Sequence, residues 1–308
     1  MAAVEGVPVV VNGVPSSTQL SVTRQNLTRS YAYCEALARR EAGNFYPAFR
    51  LLPRPQRQAM CALYAFLRIA DDLSDEPGEI AAKRAGLAAW RHGLDDALGG
   101  RCTHALHPAL RHAVTVHGVP PEYLHAVLDG VEMDLVPQTY VTFADLRLYC
   151  YRVASAVGLS CIHIWGARDP QAIAYAEDAG LAFQLTNILR DLGEDAGRGR
   201  VYLPREDLER FGYVASRLAH ADRGGGFREL MEFQVQRARS FYDAAWPLAG
   251  LLPPPGRAVF LTLARTYRSL LDAIEQRDYD VFTQRVRVSS WRKLFLALQA
   301  LPVRWGWL

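Results

Sequence analysis

The stretch of sequence that decides the fold is FQLTNILRDLGED, which covers residues 183–195. Its apolar residues recur three and four positions apart, so the stretch predicts a helix with a side that faces a core. At about 100° per residue, four polar residues fall within an arc of about 80° on this helix. These residues are Gln184, Asn187, Asp191 and Asp195. A polar stripe on a helix of core type indicates a functional site along that stripe.

A second stretch, YAFLRIADDLSDE at residues 64–76, carries a similar stripe. Within an arc of about 60° it brings together Tyr64, Arg68, Asp71 and Asp75. A single group of this kind, with carboxylates at i and i+4 (an aspartate box), is typical of a solvated helix end. Two boxes favour another interpretation, in which both helices face one cavity and four carboxylates converge on it.

Carboxylates one helical turn apart repel each other unless a cation lies between them. Divalent metal is the simplest way to stabilise four of them in one cavity. Oxygen ligands favour Mg²⁺, with Mn²⁺ as the alternative ion, and bound Mg²⁺ is often shared with substrate phosphates. The two stripes therefore predict a magnesium site and a diphosphate substrate.

Basic residues that suit the same diphosphate lie on and after the stripes. Arg68 belongs to the first stripe, and Arg190 lies beside the second. Arg198 and Arg200 follow in the loop RGRVYLP at residues 198–204, which also contains Tyr202. Guanidinium groups match phosphate oxygens, so this loop is predicted to cover the leaving group. A plain surface turn is the alternative interpretation.

Almost every segment after residue 28 has helical spacing, and alternating strand patterns are nearly absent, so the predicted fold is all-α. The breaks between helices are too short to be interdomain linkers. We therefore predict a mobile tail over residues 1–22 and a single domain over residues 23–308. The predicted helices cover residues 28–42, 54–74, 78–98, 106–117, 120–136, 143–167, 169–195, 224–249, 256–278 and 289–300.

Composition excludes several classes of protein. A balance of 35 Lys and Arg against 32 Asp and Glu argues against a nucleic-acid partner. No apolar window of transmembrane length and no signal peptide is recognisable. The five cysteines are odd in number and lie mostly in apolar segments, which predicts small core residues in a reducing cytoplasm.

Four segments together resemble the signatures of the squalene/phytoene synthase family. They are residues 64–76, GVEMDL at 130–135, YCYRVASAVG at 149–158, and 183–195 followed by 198–204. The likeness runs from about residue 28 to residue 300 in the family's order and spacing. It implies an all-α class I terpenoid synthase fold, with one helical domain around a central cavity. It also implies magnesium-dependent, head-to-head joining of two polyprenyl diphosphates.

The resemblance assigns roles to individual residues. The family's two aspartate boxes bind the metals, and they map onto Asp71, Asp75, Asp191 and Asp195. The matching residues that would line the site beside them are Tyr64, Arg68, Tyr149, Gln184 and Asn187. In the late segment, Tyr279, Arg287 and Lys293 match a family signature that could close over a diphosphate. Solvated charges at a helix end are the alternative for that segment.

The implied reaction passes through an allylic cation, which must be kept from water. Aromatic faces stabilise such a cation without trapping it. The candidates are Phe45, Phe49, Phe183 and the two tyrosines Tyr64 and Tyr149. Ordinary core packing is the alternative for each of these rings.

The identity of the product is the most specific prediction made from the sequence. AFRLLP at residues 48–53 and YAYCE at residues 31–35 look closest to bacterial presqualene diphosphate synthases of hopanoid pathways. We therefore expect presqualene diphosphate from two farnesyl diphosphates, with phytoene from geranylgeranyl diphosphate as the alternative. No dinucleotide fingerprint is recognisable, which leaves use of NADPH, and onward conversion to squalene, open.

Two further functions stay open at this point. Asp71 to Asp75 spells an aspartate-rich box of head-to-tail chain elongation, although the second stripe and its arginine loop argue against that reaction. A non-catalytic assembly factor on the same fold is the alternative from another class, but it would not need four metal-site aspartates.

The expected partners are polyprenyl diphosphate substrates and other enzymes of the isoprenoid pathway. A membrane surface is a further candidate, because Trp291, Trp305 and Trp307 lie close together near residue 308. Core packing of these rings is the preferred interpretation. We expect a cytoplasmic protein, with or without peripheral membrane contact.

Overall fold

The computed structural model describes residues 17–43 and 45–306, and the helices within those ranges confirm the all-α prediction. The only extended pairing described there is an isolated bridge between Thr139 and Val201. The helices are α1 (Ser17–Glu41), α2 (Phe45–Phe49), α3 (Arg54–Asp75), α4 (Ile80–Leu98), α5 (His107–His117), α6 (Pro121–Met133), α7 (Phe143–Cys150), α8 (Ala156–Trp165), α9 (Gln171–Gly197), α10 (Arg205–Arg210), α11 (Phe227–Ala245), α12 (Leu248–Leu251), α13 (Pro254–Gln276) and α14 (Ser290–Arg304).

The ten predicted helices correspond to the long elements of this list. The predicted helix 143–167 is α7 and α8, joined by a π-helical turn over Tyr151–Ser155. Sequence periodicity missed α2, α10, α12 and a 3₁₀ turn at Ala215–His220, because segments of four to six residues are too short to show a period. Helix α1 begins at Ser17, within the predicted tail, and residues 1–16 of that tail lie outside the described residues.

Helix α9 joins the two hydrophobic clusters of the protein. Ala172, Ala176 and Ala179 near its start belong to a cluster built mainly on α1, α3, α5, α6, α8 and the first half of α13. Residues from Leu181 to Leu192 belong to a second cluster with α11 and the end of α13. Because both clusters pack against α9, its polar stripe is held in a fixed position between them.

Two glycines let α6 and α9 approach the π-helical turn directly. A Cβ atom at Gly180 of α9 would lie 2.4 Å from Cα of Ser155, and one at Gly130 of α6 would lie 2.6 Å from a methyl group of Val153. Any larger residue at either position would force the helices apart. The hydroxyl group of Ser155 also donates a hydrogen bond of 2.7 Å to the carbonyl oxygen of Glu177. The turn is therefore clamped between two helices.

Some burial predictions need correction. Four of the five cysteines are buried, but Cys102 is exposed because it lies in the loop after α4. Core packing was the wrong interpretation for Trp291 and Trp305, which are 81% and 54% exposed. Trp307 lies outside the described residues. Within the described part of the chain, none of the helices has both the length and the apolar character that a membrane crossing requires.

Candidate active site

A cavity of about 350 Å³ lies between α3, α9 and α13. Along α3 its lining changes from Met60 and Leu63 to Arg68 and Asp71, and along α9 it changes from Ala176 and Ala179 to Gln184 and Asn187. Both helices are therefore apolar at their earlier lining residues and polar at their later ones. The apolar part is completed by Phe49, Val157, Cys161, Trp165, Leu248, Phe260 and Leu263. The cavity is therefore an apolar tunnel with a polar mouth.

The α3 side of the mouth combines one cation with several carboxylates. Arg68 forms an ion pair of 2.6 Å with Asp72, one turn further along the helix. Asp71 is exposed to water by its surface area, although many protein atoms lie around its carboxyl group. This desolvation, with repulsion from Asp75, raises the pKa of Asp71 to about 7. Arg68 therefore offsets only part of the unfavourable free energy of ionising Asp71.

The α9 side presents an amide and two aromatic rings. Nδ2 of Asn187 donates to Oε1 of Gln184 at 3.3 Å, while Oδ1 of Asn187 is buried and has no hydrogen-bond partner within the described residues. Tyr267 of α13 lines the same cavity as Asn187, and its ring stacks on Phe183 with centroids 4.8 Å apart. Burial raises the pKa of the Tyr267 hydroxyl group, so it stays protonated at neutral pH.

The two aspartates at the end of the α9 stripe have different surroundings. Burial and repulsion from Asp191 raise the pKa of Asp195 to about 6. Asp191 itself is paired with Arg190 on α9 and with Arg285, which lies 3.0 Å away on the segment after α13. Arg285 reaches Asp191 from 94 residues further along the chain.

A tyrosine cluster adjoins the carboxylates and is centred on Asp134 at the end of α6. The hydroxyl groups of Tyr149 and Tyr202 each donate a hydrogen bond of 2.9 Å to a different carboxylate oxygen of Asp134. Their rings stack with centroids 5.0 Å apart, and Tyr140 packs against both. Arg200 donates to the backbone carbonyl oxygen of Asp134 at 3.0 Å. Burial raises the pKa of Asp134, while the two phenols and Arg200 lower it.

These groups suit a divalent metal ion. Burial raises the pKa values of both Asp71 and Asp195, with repulsion from Asp75 in the first case and from Asp191 in the second, and the nearby arginines offset this only in part. The buried oxygen atom of Asn187 adds a neutral ligand without a partner in the described chain. Among the described residues, no three His, Cys, Asp or Glu side chains are close enough to enclose an ion alone. Mg²⁺ does not need such a cage, because it keeps several waters and shares substrate phosphates.

The structure brings many of the predicted site residues together and separates others. Those that line the cavity are Phe45, Phe49, Tyr64, Arg68, Asp71, Phe183, Gln184 and Asn187. Those whose charges or hydrogen bonds couple them to its mouth are Asp75, Tyr149, Asp195, Arg200 and Tyr202. Arg190 and Asp191 line an adjoining groove of about 310 Å³ with Phe282 and Arg285.

Three predicted residues lie away from the cavity. Arg198 is exposed and pairs with Glu194 at 3.1 Å. Tyr279 is buried in the second cluster under the guanidinium group of Arg228, and its φ of 60° marks the tight turn after α13. Arg287 is exposed, and the side chain of Lys293 lies outside the described residues.

Sequence reasoning missed three residues of the site. Asp134 belonged to the GVEMDL segment that carried the family resemblance, so a signal was present. Tyr267 lies within an ordinary amphipathic helix, and Arg285 lies in a loop. Nothing local to either residue indicates that it reaches α9.

Comparison with known proteins identifies the family of this chain. Residues 38–292 match the family model described as "Squalene/phytoene synthase". The phytoene synthase of Arthrospira platensis is 37% identical over 289 residues, which cover 89% of this chain and 94% of the relative. The 15-cis-phytoene synthase of Synechococcus elongatus is 36% identical, with coverage of 87% and 91%.

Solved structures give the same result for the fold. A dehydrosqualene synthase in complex with a ligand superposes with a TM-score of 0.83 at 31% identity, covering 90% of this chain and 97% of that one. The squalene synthase HpnC from Alicyclobacillus acidocaldarius superposes with a TM-score of 0.78 at 29% identity, with coverage of 82% and 95%.

Proposed function

This chain belongs to the squalene/phytoene synthase family and is a prenyl transferase, and from that premise we propose that it joins two geranylgeranyl diphosphates head to head to give phytoene. The observation that carries the proposal is the cavity, whose two principal helices are polar at the same end. A diphosphate suits the polar mouth, and a prenyl chain suits the apolar tunnel.

The choice of geranylgeranyl diphosphate rests on the relatives. The sequence resemblance favoured farnesyl diphosphate, but the relatives at 37% and 36% identity are named phytoene synthases. Farnesyl diphosphate remains the second candidate, because the two solved structures that superpose well are named dehydrosqualene and squalene synthases.

Cavity length also supports the longer substrate. The lining of α9 runs from Ala176 to Asn187, which is about 16 Å at 1.5 Å per residue. An extended chain advances about 1.2 Å per bond, so a geranylgeranyl group spans about 18 Å and a farnesyl group about 13 Å. A chain that begins at Asn187 therefore reaches Ala176 only when it is longer than farnesyl.

The first chemical step is the departure of diphosphate from one substrate. Mg²⁺ held by the aspartates would neutralise the charge that develops on this leaving group. Arg68 and Arg200 add fixed positive charge at the mouth, and the amide of Asn187 orients the groups beside it. The carbon–oxygen bond breaks with its electron pair on diphosphate, which leaves an allylic cation in the tunnel.

The second step joins the two chains. The double bond of the second substrate attacks the cation, and loss of a proton closes a cyclopropane ring in an intermediate that keeps the second diphosphate. Departure of that diphosphate with its electron pair, opening of the ring and loss of a second proton then give phytoene. The stacked rings of Phe183 and Tyr267 and the partly buried Tyr64 offer π-faces to the cation. Few groups in the apolar lining could trap the cation, and the lining excludes bulk water.

A product assay tests the proposal. The purified chain is incubated with farnesyl or geranylgeranyl diphosphate and Mg²⁺, with and without NADPH, and the products are identified by mass. We expect phytoene from geranylgeranyl diphosphate without NADPH. Presqualene diphosphate or squalene as the preferred product would favour the second candidate. Consumption of isopentenyl diphosphate would favour chain elongation, and a lack of product with every substrate would favour a non-catalytic protein.

The proposed product is a long hydrocarbon, and a further enzyme must take it up. Other isoprenoid enzymes are therefore the expected partners.

A further inference from the structure

Helix α14 has two apolar sides, and among the described residues only one of them packs against the rest of the protein. Leu296, Ala300 and Val303 are buried on the side that faces α13. On the other side, Trp291, Phe295 and Leu298 are 81%, 51% and 54% exposed. The spacing of these three residues, at i, i+4 and i+7, places them on one face of the helix. We call this group of three residues the α14 face.

The surrounding sequence is strongly basic. From residue 281 to residue 308 the chain has no Asp or Glu, whereas the whole chain has a net charge of only +3. Apart from Arg285, which pairs with Asp191, the basic residues of this segment are Arg287, Arg292, Lys293 and Arg304. The positive charge of the protein is thus concentrated in the segment that carries the exposed aromatic residues.

Helix α13 adds further cations beside the α14 face. A groove of about 610 Å³ between the two helices is lined by Arg257 and Arg265 of α13 and by Gln299 and Pro302 of α14. Pro302 continues the spacing of the α14 face by one more helical turn. The groove therefore runs along one edge of this face and places guanidinium groups next to it.

We propose that the α14 face lies on an anionic phospholipid bilayer, with Trp291, Phe295 and Leu298 inserted at the level of the headgroups. An amphipathic helix with aromatic residues on one face and an excess of Arg and Lys around it has the composition of an interfacial membrane helix. Each cation near an anionic surface adds to the attraction. A second copy of this chain fits less well, because a two-fold contact would bring two basic segments together.

The position of α13 links this surface to the cavity. Phe260 and Leu263 of α13 line the cavity, while Leu261 of the same helix lines the groove beside α14. One layer of helix, about 10 Å thick, separates the cavity from the groove at the edge of the α14 face. A membrane at this face would lie close to a tunnel that holds apolar chains. The proposal itself does not depend on which reaction takes place there.

Vesicle flotation tests the proposal on the full chain. Wild-type protein is mixed with vesicles of phosphatidylcholine alone or of equal parts phosphatidylcholine and phosphatidylglycerol. We expect at least about tenfold tighter binding to the anionic vesicles, weakened by salt. The variant Trp291→Ser/Phe295→Ser/Leu298→Ser should bind anionic vesicles at least about tenfold more weakly. The variant Arg292→Gln/Arg304→Gln should lose mainly the preference for anionic lipid.

The matched control replaces exposed apolar residues elsewhere. Val116 and Val214 are 60% and 59% exposed, and Val116→Ser/Val214→Ser should bind vesicles like the wild type. Circular dichroism and product formation in detergent show that each variant is folded. If the wild type forms no product in detergent, this result argues against the proposed reaction and leaves the test of membrane binding unaffected.

A second measurement does not depend on the triple variant. Lipids brominated near the headgroup should quench the fluorescence of the wild type more than that of Trp291→Phe. Equal binding of wild type and triple variant to anionic vesicles would overturn the proposal, as would equal wild-type binding to both vesicle types. A dimer that the triple variant dissociates, with vesicle binding unchanged, would overturn it in favour of contact between copies.

Discussion

The hydroxyl group of Tyr149 donates a hydrogen bond of 2.9 Å to Asp134, which lies 15 residues earlier in the chain, directly after α6. Asp134 accepts a second phenol, from Tyr202, on its other oxygen atom. The carboxylate therefore fixes two hydroxyl groups that would otherwise rotate freely. This arrangement makes Asp134 a positioning residue.

Asp134→Asn should lower kcat about 10- to 100-fold, because an amide accepts only one of the two phenols through its oxygen atom. Tyr149→Phe should have a similar effect, and both variants should leave KM for the prenyl diphosphate within about threefold. The measurement is steady-state product formation at saturating Mg²⁺. A large rise in KM with unchanged kcat would show that Asp134 acts on substrate binding instead.

The matched control is Tyr140→Phe. Tyr140 belongs to the same stack of rings, but its buried hydroxyl group has no hydrogen-bond partner among the described residues. Its removal should leave kcat unchanged and should raise the free energy of unfolding by about 1 kcal/mol, since a buried polar group without a partner is lost.

The aspartates of the proposed metal site should differ from their neighbours in their response to Mg²⁺. Asp71→Asn and Asp195→Asn should each lower activity by about 100-fold or more and should raise the Mg²⁺ concentration needed for half-maximal activity. Glu209→Gln is the control, because Glu209 is an exposed carboxylate on α10. Similar Mg²⁺ titrations for wild type and both aspartate variants would contradict the proposed metal site.

The raised pKa values of Asp71 and Asp195 predict how Mg²⁺ and pH act together on stability. Both carboxyl groups have a normal pKa of 3.8, and the folded protein raises it to about 7 and about 6. The folded state therefore binds more protons than the unfolded state between about pH 4 and about pH 7. These two groups make the metal-free protein less stable as the pH rises through this window.

Mg²⁺ binds the ionised carboxylates, so it should raise Tm more at about pH 8 than at about pH 5. Scanning calorimetry of the wild type and of Asp71→Asn/Asp195→Asn checks this prediction, since other titrating groups cancel in the difference. The variant should show a smaller loss of Tm with rising pH when metal is absent. An equal pH dependence in both proteins would contradict it.

The sequence predicted the parts of the site that follow helical periodicity. Asp71 and Asp75, and Gln184 and Asn187, could be placed on shared faces because their spacing is set by one helix. The polar mouth itself depends on contacts between elements that are distant in sequence. Arg285 neutralises Asp191 across 94 residues, and no local pattern encodes that pairing.

The position of α9 relative to its neighbours also could not be predicted from the periodicity of the sequence. Its helical character was clear, but its position depends on Gly180, which allows the backbone of Ser155 to approach within the space of a methyl group. The π-helical turn that contains Ser155 has no sequence signature of its own and was predicted as part of one straight helix. Packing between helices, rather than helix propensity, therefore determines where the stripe points.

Substrate length should depend on Ala176 at the apolar end of the cavity. One isoprene unit adds four bonds, or about 5 Å, which is close to the 5.4 Å pitch of α9. Ala176→Phe should therefore shorten the tunnel by about one isoprene unit. We expect kcat/KM for geranylgeranyl diphosphate to fall about 10- to 100-fold, while kcat/KM for farnesyl diphosphate stays within about threefold. Ala176→Val should give an intermediate effect, and retained turnover of farnesyl diphosphate shows that the variant is folded. An equal loss with both substrates in a folded variant would mean that Ala176 does not contact the end of the prenyl chain.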